Sequence, residues 1–293
     1  MGLGEIFALS CAMTWALAII LFRAAGGGLG AFELNFIKNS IGLGLMIPTA
    51  LLVAGWRPPA YAPGEWLIVL LSGSLGIALA DTWYLRALQI LGASRTGIVA
   101  GLYSPFVVVL SVVFLGERLL FWQYGGFLLV LAGIALVTRR QRDEALAPRE
   151  IYRGAAWAVG AVLLMAVGIV MVKGVLERHE FFWTTTFRLA GGLGGMLLFI
   201  TARGQWRRLG RQLAAPQPWP LLITAAVLST YISMLLWLAG YRYTLASIAA
   251  ILNETAAAFI TLFAWLALRE PLGARKLAGL GLTLGGVLVL LAA

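Results

Sequence analysis

Ten apolar runs, each close to the length of a membrane-crossing helix, dominate this chain. They cover residues 3–22, 34–54, 66–88, 96–115, 121–138, 151–172, 183–201, 219–241, 247–268 and 272–292. A helix needs about 20 apolar residues to cross the hydrocarbon of a bilayer. The connections are short and built from helix breakers, at Gly26-Gly27-Gly28, Arg57-Pro58-Pro59, Gly92-Ala93-Ser94 and Pro216-Gln217-Pro218. A chain of 293 residues with 61% hydrophobic and 12% charged residues has too little charge to coat a soluble globule. The expected fold is all-α: a polytopic membrane protein of ten transmembrane helices.

The net charge of +10 would suit nucleic acid, but the basic residues lie in short clusters between apolar runs, where they set membrane topology. No nucleic-acid partner is expected. Arg139, Arg140, Arg142, Arg149 and Arg153, with Arg203, Arg207, Arg208 and Arg211, share one face of a ten-helix arrangement. The positive-inside rule makes that face cytoplasmic and puts the termini outside. Cys11 is the only cysteine, so no disulfide or zinc framework forms within one chain. The first run has no basic leader and is read as a retained helix.

The runs repeat. Residues 93–133 overlay 246–286 without a gap, matching Ser94/Ser247, Phe106/Phe259, Glu117/Glu270, Gly126/Gly279 and Gly133/Gly286. A slightly shorter offset brings Arg23 onto Lys173 and Lys38 onto Arg188. The expected domains are a five-helix repeat over 1–138, a polar linker over 139–150 and a second repeat over 151–293. An odd number of spans per repeat forces the second copy to enter from the opposite face, the inverted-repeat plan of many transporters.

Chemistry within the runs is sparse. Asp81 and the pair Asn253-Glu254 are hardest to explain as packing, because a charge at that depth costs about 2.5–3.5 kcal/mol on insertion scales. Glu254 shares a helical stripe with Ser247, Ala250, Ala257, Ala258 and Thr261, which serves either close packing or the floor of a solvated cavity. It is read either as a substrate-orienting or proton-exchanging group, or as a packing element hydrogen-bonded by Asn253 or Ser247. In the first repeat, Tyr103-Ser104-Pro105 occupies the matching depth, with Gly97 and Gly101 before it. Pro105 removes a backbone donor beside residues without bulk, so Gly97, Gly101 and Pro105 are the expected hinge. Glu117 and Glu270, beside Arg118 and Arg269, read as interfacial ion pairs. His179 has no companion at metal-ligand spacing. No phosphate loop, HExxH or nucleophile–base pair is present. No enzyme activity, cofactor or metal is expected.

Trp15 before Arg23, Lys38 opening the second helix, Ser104-Pro105-Phe106, Gly116-Glu117-Arg118, Gly126 and Gly133 together resemble the EamA-type unit of the drug/metabolite transporter superfamily. The second half looks like a looser copy, with Arg188, Arg269-Glu270-Pro271, Gly279 and Gly286, but with Ala257-Ala258-Phe259 in place of Ser-Pro-Phe. The resemblance implies a multi-pass carrier of the plasma (inner) membrane that exports small metabolites by alternating access. Amino acids, aromatic ones among them, are the implied substrates. It also implies cytoplasmic termini, against the arginine clusters. The cavity expected from the implied helices is aromatic and nearly uncharged, lined by Trp15, Tyr84, Tyr103, Trp157, Tyr231, Trp237 and Asn253, with Asp81 and Glu254 as its acids. The alternatives are export of other small amphiphiles or drugs, and a non-transport scaffold using its glycine faces. Those faces also make homo-oligomer formation an expectation.

Overall fold

The computed structural model describes residues 2–25, 28–138, 147–268 and 273–292. All regular structure among them is helical. Eight helical stretches are long and apolar enough to cross a membrane, and Tyr103–Leu115 and Phe121–Leu136 are shorter apolar helices. The ten membrane helices are α1 (Leu3–Ala25), α2 (Ala31–Val53), α3 (Pro63–Gly73, Ser74–Ala80 and Asp81–Ala100), α4 (Tyr103–Leu110 and Ser111–Leu115), α5 (Phe121–Thr138), α6 (Pro148–Arg178), α7 (Phe181–Ala202), α8 (Trp219–Ala226, Val227–Ile232 and Ser233–Tyr243), α9 (Ala246–Asn253 and Ala256–Leu268) and α10 (Ala274–Leu291). A short helix, Trp206–Ala214, joins α7 to α8. The Arg139–Arg142 part of the linker and the Arg269-Glu270-Pro271 segment lie outside the described residues.

One boundary differs from expectation. Gly92-Ala93-Ser94 was expected to form a connection, yet helical backbone runs unbroken over Asp81–Ala100, and the interruption comes at Gly101-Leu102. No proline falls in that stretch, and a glycine costs a helix only about 1 kcal/mol. Unpaired backbone at membrane depth costs several.

Side-chain contacts sort the chain ends and connections to two faces. On one, Thr244 Oγ1 donates to Glu5 Oε1 at 2.9 Å, Lys173 Nζ donates to the carbonyls of Tyr241 and Thr244 at 2.6 and 2.9 Å, and His179 Nε2 lies 2.9 Å from Glu65 Oε2. This gathers the N-terminus with the α2–α3, α6–α7 and α8–α9 connections. On the other face, Arg208 Nε lies 3.0 Å from Glu33 Oε1, and the Gly30 N–H donates to Gln212 Oε1 at 3.1 Å, joining α1–α2 to α7–α8. That sorting is what successive crossings of a bilayer produce.

The two five-helix repeats are inverted, and α5 and α10 display it. A Cβ on Gly126 would lie 2.7 Å from the Gly286 carbonyl, and one on Gly133 would lie 2.6 Å from the Gly279 carbonyl. Gly126 is the sequence counterpart of Gly279, and Gly133 of Gly286. Exchange of the repeats therefore turns each of these contacts into the other, as a local two-fold axis requires. The π-helical segments Ser74–Ala80 in α3 and Val227–Ile232 in α8 begin 153 residues apart, the offset that also relates Trp66 to Trp219. A π turn inserts an extra residue and redirects the side chains beyond it. The main core lies where α6 meets α3, α4, α8 and α9, with Ile169, Val172, Leu176, Val69, Val107, Leu238, Tyr241 and Ala249 buried together.

Candidate functional site

Two interrupted helices meet at the centre of the molecule. Helix α9 breaks at Glu254-Thr255, and helical structure before α4 breaks at Gly101-Leu102. The 153-residue offset places Gly101 on Glu254, so the breaks are equivalent. A half-helix starting inside the protein exposes the N–H groups of its first turn and favours an anion there. The Ser104 N–H, in the first turn of α4, donates to Glu254 Oε1 at 3.2 Å. The partner of Glu254 thus comes from the other repeat. The expected local partners are otherwise engaged: the Asn253 amide donates back to the Ala249 carbonyl at 2.8 Å, and the Ser247 hydroxyl donates to Glu117 at 2.8 Å. Ser104 Oγ and Asn253 Oδ1, flanking this contact in sequence, are buried with no hydrogen-bond partner among the described residues.

From Glu254 a line of contacts leads across the interface between repeats. The Tyr103 and Tyr241 hydroxyls are 2.6 Å apart. Tyr241 packs edge-on to Trp237 at 5.2 Å between ring centroids, and the Arg188 guanidinium lies 5.2 Å from the Trp237 ring centroid. Arg188 is 2% exposed. Its Nη1 lies 3.7 Å from Met234 Sδ, and its Nε has no hydrogen-bond partner among the described residues. The centre of the molecule thus holds a buried cation beside the aromatic residues and acids that the sequence singled out. Lys38, expected to open the second helix, is likewise buried two turns inside α2 and paired with Asp81 at 2.6 Å. Lys38 and Arg188 are each the eighth residue of their helix.

Of the other expected lining residues, Tyr103 and Trp237 join this line. Tyr231 instead donates to or accepts from Thr49 across α8 and α2, with the two oxygens 2.6 Å apart. Trp157 packs edge-on to Trp83 at 5.1 Å on the α3–α6 interface. Trp15 and Tyr84 are half-buried on α1 and α3. A cavity of about 150 Å³ opens at the α1–α2 and α7–α8 end, between Phe22, Leu34, Leu85, Gln89 and Gln217. Leu34 and Leu85 stand one helical turn from Lys38 and Asp81, so that ion pair lies directly beneath this vestibule.

Two further expectations change. Glu117 was read as a surface ion pair with Arg118, but it is 7% exposed and accepts from the Ala246 and Ser247 N–H groups at 2.6 and 3.0 Å. It caps the start of α9, where free donors outcompete an exposed guanidinium. Pro105 does not cause the break at Gly101-Leu102. It sits in the first turn of α4, where its missing N–H has no intrahelical use, and α9 breaks equivalently with Ala258 in its place. Among the described residues no cluster of three His, Cys, Asp or Glu side chains could hold a metal.

A multi-pass helical protein with inverted repeats, broken helices and buried charges where they meet has the construction of a membrane transporter. The profile of the EamA-like transporter family matches residues 2–139 and 152–292, and the chain belongs to that family. It is a multi-pass integral protein of the plasma membrane. It is 25% identical over 145 residues to a Bacillus subtilis (strain 168) protein named as the uncharacterized transporter YxxF, covering 50% of this chain and 45% of that one. Thus it matches only about half the length of that relative. It is also 26% identical over 136 residues to a Sinorhizobium sp protein named as an uncharacterized transporter in the cobO 3' region, covering 45% of this chain and 94% of that one. A solved crystal structure shares the fold, with a TM-score of 0.79 at 20% identity, covering 99% of this chain and 96% of the other.

Proposed function

We propose that this transporter exports amino acids or closely related amphiphilic metabolites by alternating access, with the substrate held between Arg188 and Glu254. The observation that carries the reading is the line Arg188–Trp237–Tyr241–Tyr103, continued through Ser104 to Glu254: a buried cation and a half-buried acid separated by aromatic rings. A zwitterion with an apolar side chain complements such a line, whereas a phosphate ester would require several unpaired cations. The two broken helices supply the moving parts, with Gly101 and Pro105 beside the break before α4 and Gly97 one turn ahead of it. One face is laced by the contacts of Glu65, Lys173 and Thr244, and the other holds the vestibule. Closure at one face with an opening at the other is the arrangement that rocking of one repeat against the other interconverts. The arginine-rich face would be cytoplasmic.

Uptake of radiolabelled L-phenylalanine, L-leucine and L-glutamate into proteoliposomes under counterflow conditions tests the reading. Flux of at least one neutral amino acid above protein-free liposomes is expected, with Glu254→Gln removing its pH dependence or weakening binding. Absence of flux for the neutral amino acids, with flux of amines or drugs instead, would assign the chain to multidrug export. Identical pH profiles and affinities for wild type and Glu254→Gln would leave that carboxylate as the cap of α4 alone.

A further inference from the structure

The two-fold relation between the repeats explains an imbalance of charge. Lys38 and Arg188 are counterparts, each the eighth residue of its helix. Lys38 is neutralised by Asp81, 2.6 Å away on α3. The 153-residue offset that aligns the π segments of α3 and α8 places Asp81 on Met234, and Met234 is the residue whose sulfur meets Arg188, at 3.7 Å. One repeat contains a complete ion pair. The other contains the same cation in the same place with a thioether where the carboxylate belongs. A thioether is a weak acceptor and forms no ion pair with the guanidinium. Asp81 acts on Arg188 only at longer range and is already held by Lys38 at 2.6 Å, so a buried guanidinium with an unpartnered Nε points to a further anion supplied from outside the chain.

We propose that Arg188 is the carboxylate-binding residue for the transported substrate, the missing counterpart of Asp81 being provided by the substrate itself. This deepens the proposed function and rests on it for the transport step. The surroundings suit a planar carboxylate with an aromatic or apolar body. The guanidinium lies over the Trp237 ring, and such stacking holds the planar fork in one orientation for a bidentate contact. Gly76 on α3 lets the guanidinium sit close against that helix: a methyl group there would lie 3.0 Å from Arg188 Nη2. On this reading the site accepts monocarboxylates and rejects the corresponding amides.

The test restores the symmetry. In Met234→Asp the ion pair seen at Lys38–Asp81 is rebuilt at Arg188, so the variant should fold, melt at or above the wild-type temperature and lose carboxylate affinity. Purified wild type and Met234→Asp are titrated with 3-phenylpropionate and with 3-phenylpropionamide, following the rise in melting temperature. Wild type should respond to the carboxylate and not to the amide, and Met234→Asp should require at least ten times more carboxylate for the same shift. Gly76→Ala, which crowds the guanidinium without changing charge, provides a second variant and should weaken the response in the same direction. Equal responses to acid and amide, no response in wild type, or an undiminished response in both variants would overturn the proposal. L-Phenylalanine separates the two readings. If the carboxylate response depends on Met234 but phenylalanine is not carried, the Arg188 site stands and the amino-acid reading falls. If wild type and Met234→Asp carry phenylalanine equally well, the amino-acid reading stands and the Arg188 site falls.

Discussion

Buried charges such as Lys38 and Glu117 are each held by a partner. Lys38 has Asp81 at 2.6 Å, so Asp81→Asn strands an ammonium that is almost fully buried. Loss of one member of a buried pair costs about 3–5 kcal/mol, and the partial exposure of Asp81 puts this case near the lower end. Thermal melting in detergent should show Asp81→Asn well below wild type, whereas the double variant Lys38→Met, Asp81→Leu recovers most of the difference. Glu117 acts through hydrogen bonds to two backbone donors and one hydroxyl at the start of α9. Glu117→Ala should cost about 1–3 kcal/mol, the price of unsatisfied buried donors, and Arg118→Ala should cost nothing measurable in the same melts. Sequence reading found Glu254 and Asp81 because a lone acid in an apolar run is conspicuous. It missed Arg188 and Lys38 as interior residues because each lies only eight residues into its helix, where a cation also suits an interface. Their shared register in the two repeats was the available signal. The roles of Ser104 and Glu117 were not legible, since each acts on the opposite repeat more than 120 residues away in sequence.

Among the helices, the glycines divide into those that set a crossing and those that face outward. A Cβ on Gly133 would come within 2.6 Å of the Gly279 carbonyl and the Thr283 N–H on α10, while one on Gly281 would meet nothing within 4 Å. Gly133→Ala should therefore push α5 and α10 apart, at the roughly 1–3 kcal/mol typical of overpacking, and Gly281→Ala should be neutral or slightly stabilising. The same logic holds where α3 crosses α7, since a methyl group on Gly73 would overlap the Arg188 carbonyl. Substitution there should disturb the placement of Arg188 as well as stability. These crossings use within the chain the glycine faces that the sequence offered for partner helices, at Gly126, Gly133, Gly279 and Gly286. The run lengths and the repeat were readable because hydrophobicity and glycine spacing are local signals. The break at Gly101-Leu102 was not, because it follows from how α4 and α9 start half-helices against one another.

For the molecule as a whole, two inverted copies have drifted apart at the centre while keeping their geometry. The π segments of α3 and α8, the helix breaks and the glycine crossings remain in equivalent positions, but Asp81 faces Lys38 in one copy and Met234 faces Arg188 in the other. On the reading proposed above, drift of this kind gives a symmetric scaffold a single polar substrate site that both faces reach in turn. A thiol introduced at Ser104, the residue that links α4 to Glu254, tests this most directly. On a Cys11→Ser background, Ser104→Cys in proteoliposomes should react with a membrane-impermeant maleimide from either side of the membrane, and saturating transported substrate should slow both reactions. Reaction from one side only, with and without substrate, would contradict a central site reached alternately from both faces.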